Sequence, residues 1–189
     1  MRIIAGRHRG RILAAPPGDD IRPTSDRVRE ALFNILAHGK FAAGGPAYAG
    51  VRVLDAFAGT GALGLEALSR GAAQAAFIEN RRAALPILRQ NIAALGETAR
   101  ANIVSGDATA PPRALAPASL AFLDPPYGKG LAPTALVALA AAGWLEPGAL
   151  CVVEIATKER IEPPPGFASV DERRYGAARL VFLRYEHAG

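Results

Sequence analysis

From Val51 onward the sequence alternates short apolar runs with helix-length stretches, and no other feature restricts the fold as much. Residues 51–55, 75–79, 102–105, 120–123 and 149–155 are apolar and rich in β-branched or aliphatic side chains, as buried strands are. Residues 63–69, 82–95 and 132–142 separate them and suit helices; Pro86 is compatible with one only near its first turn. Residues 179–185 read as a last strand, paired in a hairpin with residues 169–173. Strands alternating with helices in this way imply an α/β fold with a mostly parallel sheet covered by helices on both faces. A chain of 189 residues, half of them hydrophobic, is long enough to bury one full core of this kind.

Residues 1–50 have a different grain and read as an N-terminal arm on a core of residues 51–189. Residues 2–5 and 11–14 are short apolar segments around Gly6-Arg7-His8-Arg9-Gly10, which predicts a hairpin turn. Pro16, Pro17 and Gly18 break the chain. Thr24 or Ser25 could then cap a helix reaching about His38, with Val28, Leu32, Ile35 and Leu36 on one face. Residues 39–50, rich in Gly and Ala, read as a linker.

The first core strand runs into Asp55-Ala56-Phe57-Ala58-Gly59-Thr60-Gly61-Ala62-Leu63-Gly64. Gly59, Gly61 and Gly64 follow the G-x-G-x-x-G pattern, which lets a backbone turn sharply and approach a ligand closely. The pattern alone fits NAD as well as S-adenosylmethionine. Asp55 favours the second, because a carboxylate there suits the ammonium of a methionine moiety and would sit badly beside a pyrophosphate. Glu79, at the end of the next strand and followed by Asn80, is placed to accept the hydroxyls of a ribose. Asp107, followed by Ala108 after the third strand, falls where an adenine amino group would lie. A turn aspartate is an equally good reading of Asp107.

The segment Asp124-Pro125-Pro126-Tyr127 follows the fourth core strand. Its prolines fix the backbone, so the Pro125 carbonyl and the Asp124 carboxylate can present two acceptors to the two hydrogens of a planar NH2 group. Tyr127 offers a face on which a base can stack. The lone pair of an exocyclic base amine is delocalised into the ring. Acceptors that draw its hydrogens out of the plane localise that pair, and an anionic Asp124 stabilises the positive charge that develops on nitrogen. A base treated in this way must first be flipped out of its stack.

With these segments assembled, the chain resembles class I Rossmann-like methyltransferases, and most closely the RsmD family of 16S ribosomal RNA guanine-N2 methyltransferases. The resemblance rests on residues 2–6, 9–11, Arg22-Pro23-Thr24 with residues 27–30, residues 32–34, residues 55–61 and residues 124–127. It implies a seven-stranded sheet with the last strand antiparallel. It also implies S-adenosylmethionine contacts at Asp55, Phe57, Gly59, Thr60, Gly61, Glu79, Asn80, Asp107 and Ala108, with Thr24 and Arg27 contributed from the N-terminal helix, and catalysis at Asp124, Pro125, Pro126 and Tyr127. The implied partner is 16S ribosomal RNA within a small ribosomal subunit particle, bound by a monomer.

Charge agrees with that expectation without proving it. The net charge is +5 and nearly all the cations are arginines, whose planar forks suit phosphates. Arg7, His8, Arg9 and Arg11 stand close together with no acid between them and, with Arg22, are the candidate RNA contacts. Cys151, the lone cysteine, sits in an apolar run and reads as a buried strand residue. No cluster has metal-ligand spacing, and no stretch suits a signal peptide or a membrane span, so a cytoplasmic protein without metal is expected. Rival readings are adenine-N6 methylation of DNA or RNA, modification of a glutamine side chain (those enzymes usually carry Asn at the place of Asp124), an NAD-dependent oxidoreductase, and a noncatalytic RNA-binding module.

Overall fold

The computed structural model describes residues 1–15 and 26–186. In chain order the elements are α1 (Asp26–Ala37), β1 (Arg52–Ala56), α2 (Ala62–Ser69), β2 (Gln74–Glu79), α3 (Ala84–Ala94), β3 (Ala101–Ser105), β4 (Ala118–Leu123), α4 (Leu131–Ala141), β5 (Leu145–Ala156), β6 (Phe167–Tyr175) and β7 (Ala178–Tyr185). The strands form one seven-stranded sheet in the order β3-β2-β1-β4-β5-β7-β6. Pairing is parallel from β3 through β5, and β7 runs antiparallel to both β5 and β6. The expected sheet is present, and its last strand is the reversed one. Chain order reverses direction between β1 and β4, which opens a crevice at the carboxyl ends of those strands.

Side chains alternate across the sheet, so each strand feeds two cores. Leu120, Phe122, Val152 and Phe182 face α1, α2, α3 and the arm; Ala121, Leu123, Val153 and Leu183 face α4 and Trp144. Cys151 is fully buried, and burial pushes its thiol up to about 12, so it remains a protonated core residue at neutral pH. β5 begins earlier than its apolar run suggests. Leu145 pairs with Ala118, and the ladder then slips before Leu150 meets Leu120, so Pro147 and Gly148 fall in the irregular stretch. Among the described residues no helix is long and apolar enough to cross a membrane.

α1 packs through Val28, Leu32, Phe33 and Leu36, and Ile35 is only partly buried. The buried face is rotated from the expected one because Arg29 also points inward, with its side chain fully enclosed. Phe33 lies 5.5 Å from the Tyr48 ring and 5.6 Å from the Phe122 ring, so residues 39–50, expected as a bare linker, supply a core aromatic. The Pro16-Pro17-Gly18 break and the Thr24 or Ser25 cap lie outside the described residues.

The arm is a tight hairpin: Ile3 and Gly10 share backbone hydrogen bonds across the turn, and Ile3 and Leu13 are buried. It is clamped by Glu66 of α2. Glu66 accepts the Ile4 amide at 2.8 Å, the Ala5 amide at 3.0 Å and Arg70 Nε at 2.7 Å, and it lies 3.6 Å from Arg29 Nε. The turn then sits on the C-terminal end of α2, where Ser69 accepts the Arg7 amide and uses its hydroxyl on the Ala5 carbonyl and the His8 amide. These contacts serve helix-end groups that otherwise lack partners. A Cβ at Gly6 would stand 2.0 Å from the Ser69 carbonyl oxygen, so only glycine permits this seating. Replacing Glu66 with alanine leaves the buried Arg29 charge uncompensated; the expected cost is about 3–5 kcal/mol. Denaturant unfolding should show this loss, together with faster hydrogen exchange at the Ile4 and Ala5 amides. Unchanged exchange at those amides would refute the clamp.

Candidate active site

A cavity of about 850 Å³ occupies the crevice at the carboxyl ends of β1, β2, β4 and β5, within the size range of small-molecule sites. Asp55, Phe57, Gly59, Thr60, Glu79, Asn80, Asp107, Asp124, Pro125, Pro126 and Tyr127 line it, and Arg27 of α1 reaches its rim. Gly61 and Ala108 stand behind that wall: Gly61 caps α2 in the left-handed region, and Ala108 is buried against the sheet. Thr24 and Arg22 lie outside the described residues.

The glycine loop is shaped by two carboxylates. Asp55 Oδ2 accepts the Gly64 amide at 2.8 Å and so caps the first turn of α2 from the neighbouring strand. Glu79 Oε2 accepts the Gly59 amide at 2.6 Å, while its Oε1 accepts the Arg81 amide at 2.7 Å and Arg81 Nε at 3.2 Å. A carboxylate offers about four acceptor positions, so Glu79 retains capacity toward the cavity. Gly64 is required by packing: a Cβ there would lie 2.4 Å from the Phe77 ring. Phe57 is the one non-glycine residue with positive φ among those described, at 64°. Such backbone strain, on the order of 1–3 kcal/mol, persists where the surroundings over-determine it.

Burial raises the Asp55 carboxyl well above the ordinary aspartate value; the Gly64 amide pulls it back, and the charges of Asp124 and Glu79 push it further up. Asp55, Glu79 and Asp124 thus crowd one cavity, an arrangement that a cationic ligand relieves. Asp107 is exposed, and its Oδ1 accepts the amide and hydroxyl of Thr109 at 2.8 Å each, the geometry of an Asx turn.

The loop after β4 is anchored on both sides. Tyr127 donates its hydroxyl to Glu154 Oε1 at 2.7 Å, and the Gly128 amide donates to Glu159. Glu154 had no reading from sequence, although a carboxylate inside the run Val152-Val153-Glu154-Ile155 was a visible anomaly. Asn91 of α3 was also missed: its amide joins the carbonyls of Thr60 and Ala14, linking the glycine loop to the arm. Nothing in a helical Asn distinguishes such a bridge from a surface residue.

The arm's cations divide. His8 Nε2 lies 2.6 Å from Glu97, Arg7 lies 3.9 Å from it, and Arg11 donates to the Ala94 carbonyl at 3.0 Å. Burial pushes Glu97 up, but hydrogen bonds from His8 and Arg100 outweigh it and hold this carboxyl below its usual value. Arg7, Arg9 and Arg11 are exposed, while His8 is turned inward as a strut.

A doubly wound sheet with a reversed last strand, a glycine loop at the switch point and a carboxylate-lined crevice defines the class I, Rossmann-like methyltransferase fold. A family model described as conserved hypothetical protein 95 matches residues 1–184. Ribosomal RNA small subunit methyltransferase D of Escherichia coli is 38% identical over 98% of this chain and 89% of its own length. The Haemophilus influenzae protein of that name is 35% identical over 93% of this chain and 89% of its own. The solved Escherichia coli protein yhhF superposes with a TM-score of 0.82 at 38% identity, covering 98% of each chain. The chain belongs to the RsmD family.

The raised Asp55 value has a directional consequence. A carboxyl whose folded value exceeds its unfolded one favours the folded state while protonated. The unliganded protein should therefore lose stability as pH climbs from the ordinary aspartate range through the raised value. Asp55→Asn keeps an acceptor for the Gly64 amide, so it should flatten that slope and raise the unliganded Tm near neutral pH, roughly 2–4 °C per kcal/mol recovered. Thermal melts across pH check this; a variant that melts lower and keeps the slope contradicts it.

Proposed function

We propose that this protein transfers a methyl group from S-adenosylmethionine to the exocyclic N2 amine of a guanine in 16S ribosomal RNA, acting on a small-subunit particle. The observation that carries the reading is the position of Asp124-Pro125-Pro126-Tyr127: it closes one side of a cavity whose other side is the glycine loop and Glu79. The relatives named ribosomal RNA small subunit methyltransferase D support the substrate class.

The donor set fits the cofactor. Asp55, Glu79 and Asp124 surround the space, and S-adenosylmethionine is positively charged at both its sulfonium and its ammonium. Asp55 and the loop at Gly59, Thr60 and Gly61 would hold the methionine moiety, with Arg27 and Thr24 beside it. Glu79 and Asn80 would take the ribose, and Phe57, Asp107 and Ala108 the adenine side. When bound, the cofactor supplies an electrophilic methyl group.

The remaining work belongs to this chain's own residues. Asp124 and the Pro125 carbonyl accept the two amine hydrogens and free the nitrogen lone pair. Asp124 stabilises the positive charge that grows on nitrogen, in a crevice where few waters compete. Pro126 keeps the loop rigid, and Tyr127, its hydroxyl fixed on Glu154, presents its ring to the extruded base. Arg7, Arg9 and Arg11, with Arg22, engage phosphates of the substrate, and His8 holds the hairpin that carries them.

Asp124→Ala should bind S-adenosylmethionine about as well as the parent protein and lose turnover by about 10²–10³-fold, the usual loss for a group that stabilises transition-state charge. Isothermal titration and single-turnover methyl transfer separate the two effects. A variant with full turnover sinks the assignment.

A further inference from the structure

Asp124 and Glu154 stand side by side. Leu123 is registered against Val153, so the residues that follow emerge from adjacent parallel strands, about 4.8 Å apart. Both line the same cavity, and both belong to the side that holds Tyr127. Glu154 is only 7% exposed. Burying a carboxylate costs several kcal/mol unless strong partners offset it, and a tyrosine hydroxyl could be held as well by a neutral acceptor. A charged acceptor at this place suits a ligand edge rich in donors.

The edges of the two purines differ at this point. Guanine presents an N1–H donor beside its N2 amine, whereas adenine presents a bare N1 acceptor beside its N6 amine. A carboxylate facing N1 attracts the first and repels the second. We propose that Glu154 selects guanine, with Oε1 holding the Tyr127 hydroxyl while the other carboxylate oxygen accepts the N1–H of the base whose N2 amine lies against Asp124. This rests on the guanine-N2 reading above and adds the residue that discriminates among purines. Sites built to hydrogen-bond a donor reject analogues lacking it, because the buried acceptor is left unpaired.

The test uses 2-aminopurine, which keeps the N2 amine but carries an unprotonated N1. Small-subunit particles are reconstituted with 16S ribosomal RNA bearing guanine or 2-aminopurine at the methylated nucleotide, and single-turnover rates give a guanine-to-2-aminopurine preference. Glu154→Gln keeps the side-chain volume, retains an oxygen for the Tyr127 hydroxyl and can offer an amide N–H to the bare N1. The preference should fall at least about tenfold, equivalent to about 1.4 kcal/mol. Tyr127→Phe, which leaves the carboxylate in place, should slow both substrates and keep the preference near that of the parent. An unchanged preference in Glu154→Gln overturns the proposal, as does an equal fall in Tyr127→Phe, which would mean that Glu154 only positions the ring. If the parent protein methylates neither base, the guanine-N2 reading itself has failed, an outcome distinct from both.

Discussion

The Gly59 amide donates to Glu79 across 2.6 Å, and through that contact the turn after β1 is tied to the end of β2. The Asp55 carboxylate makes the complementary tie, from the end of β1 to the first turn of α2. Together they hold a loop with a strained Phe57 and a left-handed Gly61 in one shape. The cavity exists because that shape is held. The same carboxylates make the cavity anionic, and the cost shows in the raised Asp55 value, set first by burial and then by Asp124 and Glu79. Structure and ligand preference therefore have one origin: groups that order the loop also create a field that a cation relieves.

The arm is built into this arrangement rather than appended to it. Glu66 joins the arm backbone to α2 and, through Arg29, to α1. Asn91 joins Ala14 to Thr60 of the glycine loop. Glu97 receives His8 and Arg100. The hairpin that presents Arg7, Arg9 and Arg11 is thus fixed relative to the cavity through buried polar contacts, which are costly to break one at a time. A substrate held by phosphates at the arm would meet the pocket in a defined register without a separate recognition domain.

Much of this could be read from the sequence, for reasons that differ by residue. Strand and helix order followed from apolar periodicity, because a parallel sheet covered on both faces demands near-continuous apolar strands. Asp55, Glu79 and Asp124 were recognisable by lying at strand ends, where open sheets bind ligands. Arg29 and Glu66 were not, since helical charges normally face solvent and only the tertiary meeting of α1, α2 and the arm encloses them. His8 read as part of a cationic cluster because Glu97, distant in sequence, could not be foreseen as its partner. Residues 39–50 looked like a linker because their Gly and Ala content hides the anchoring by Tyr48 and Phe41, the latter stacked 5.0 Å from Phe182. Glu154 was visible as a charge in an apolar strand, but its meaning depends on the register that sets it beside Asp124.

The central claim concerns one atom of one base. Small subunits from cells lacking this gene, incubated with the protein and S-adenosylmethionine and digested to nucleosides, can be assayed by mass spectrometry. Appearance of N2-methylguanosine, absent from the untreated particles, is the predicted result. Methylation found only on adenine, or no methylation at all while S-adenosylmethionine binding is intact, would contradict the account.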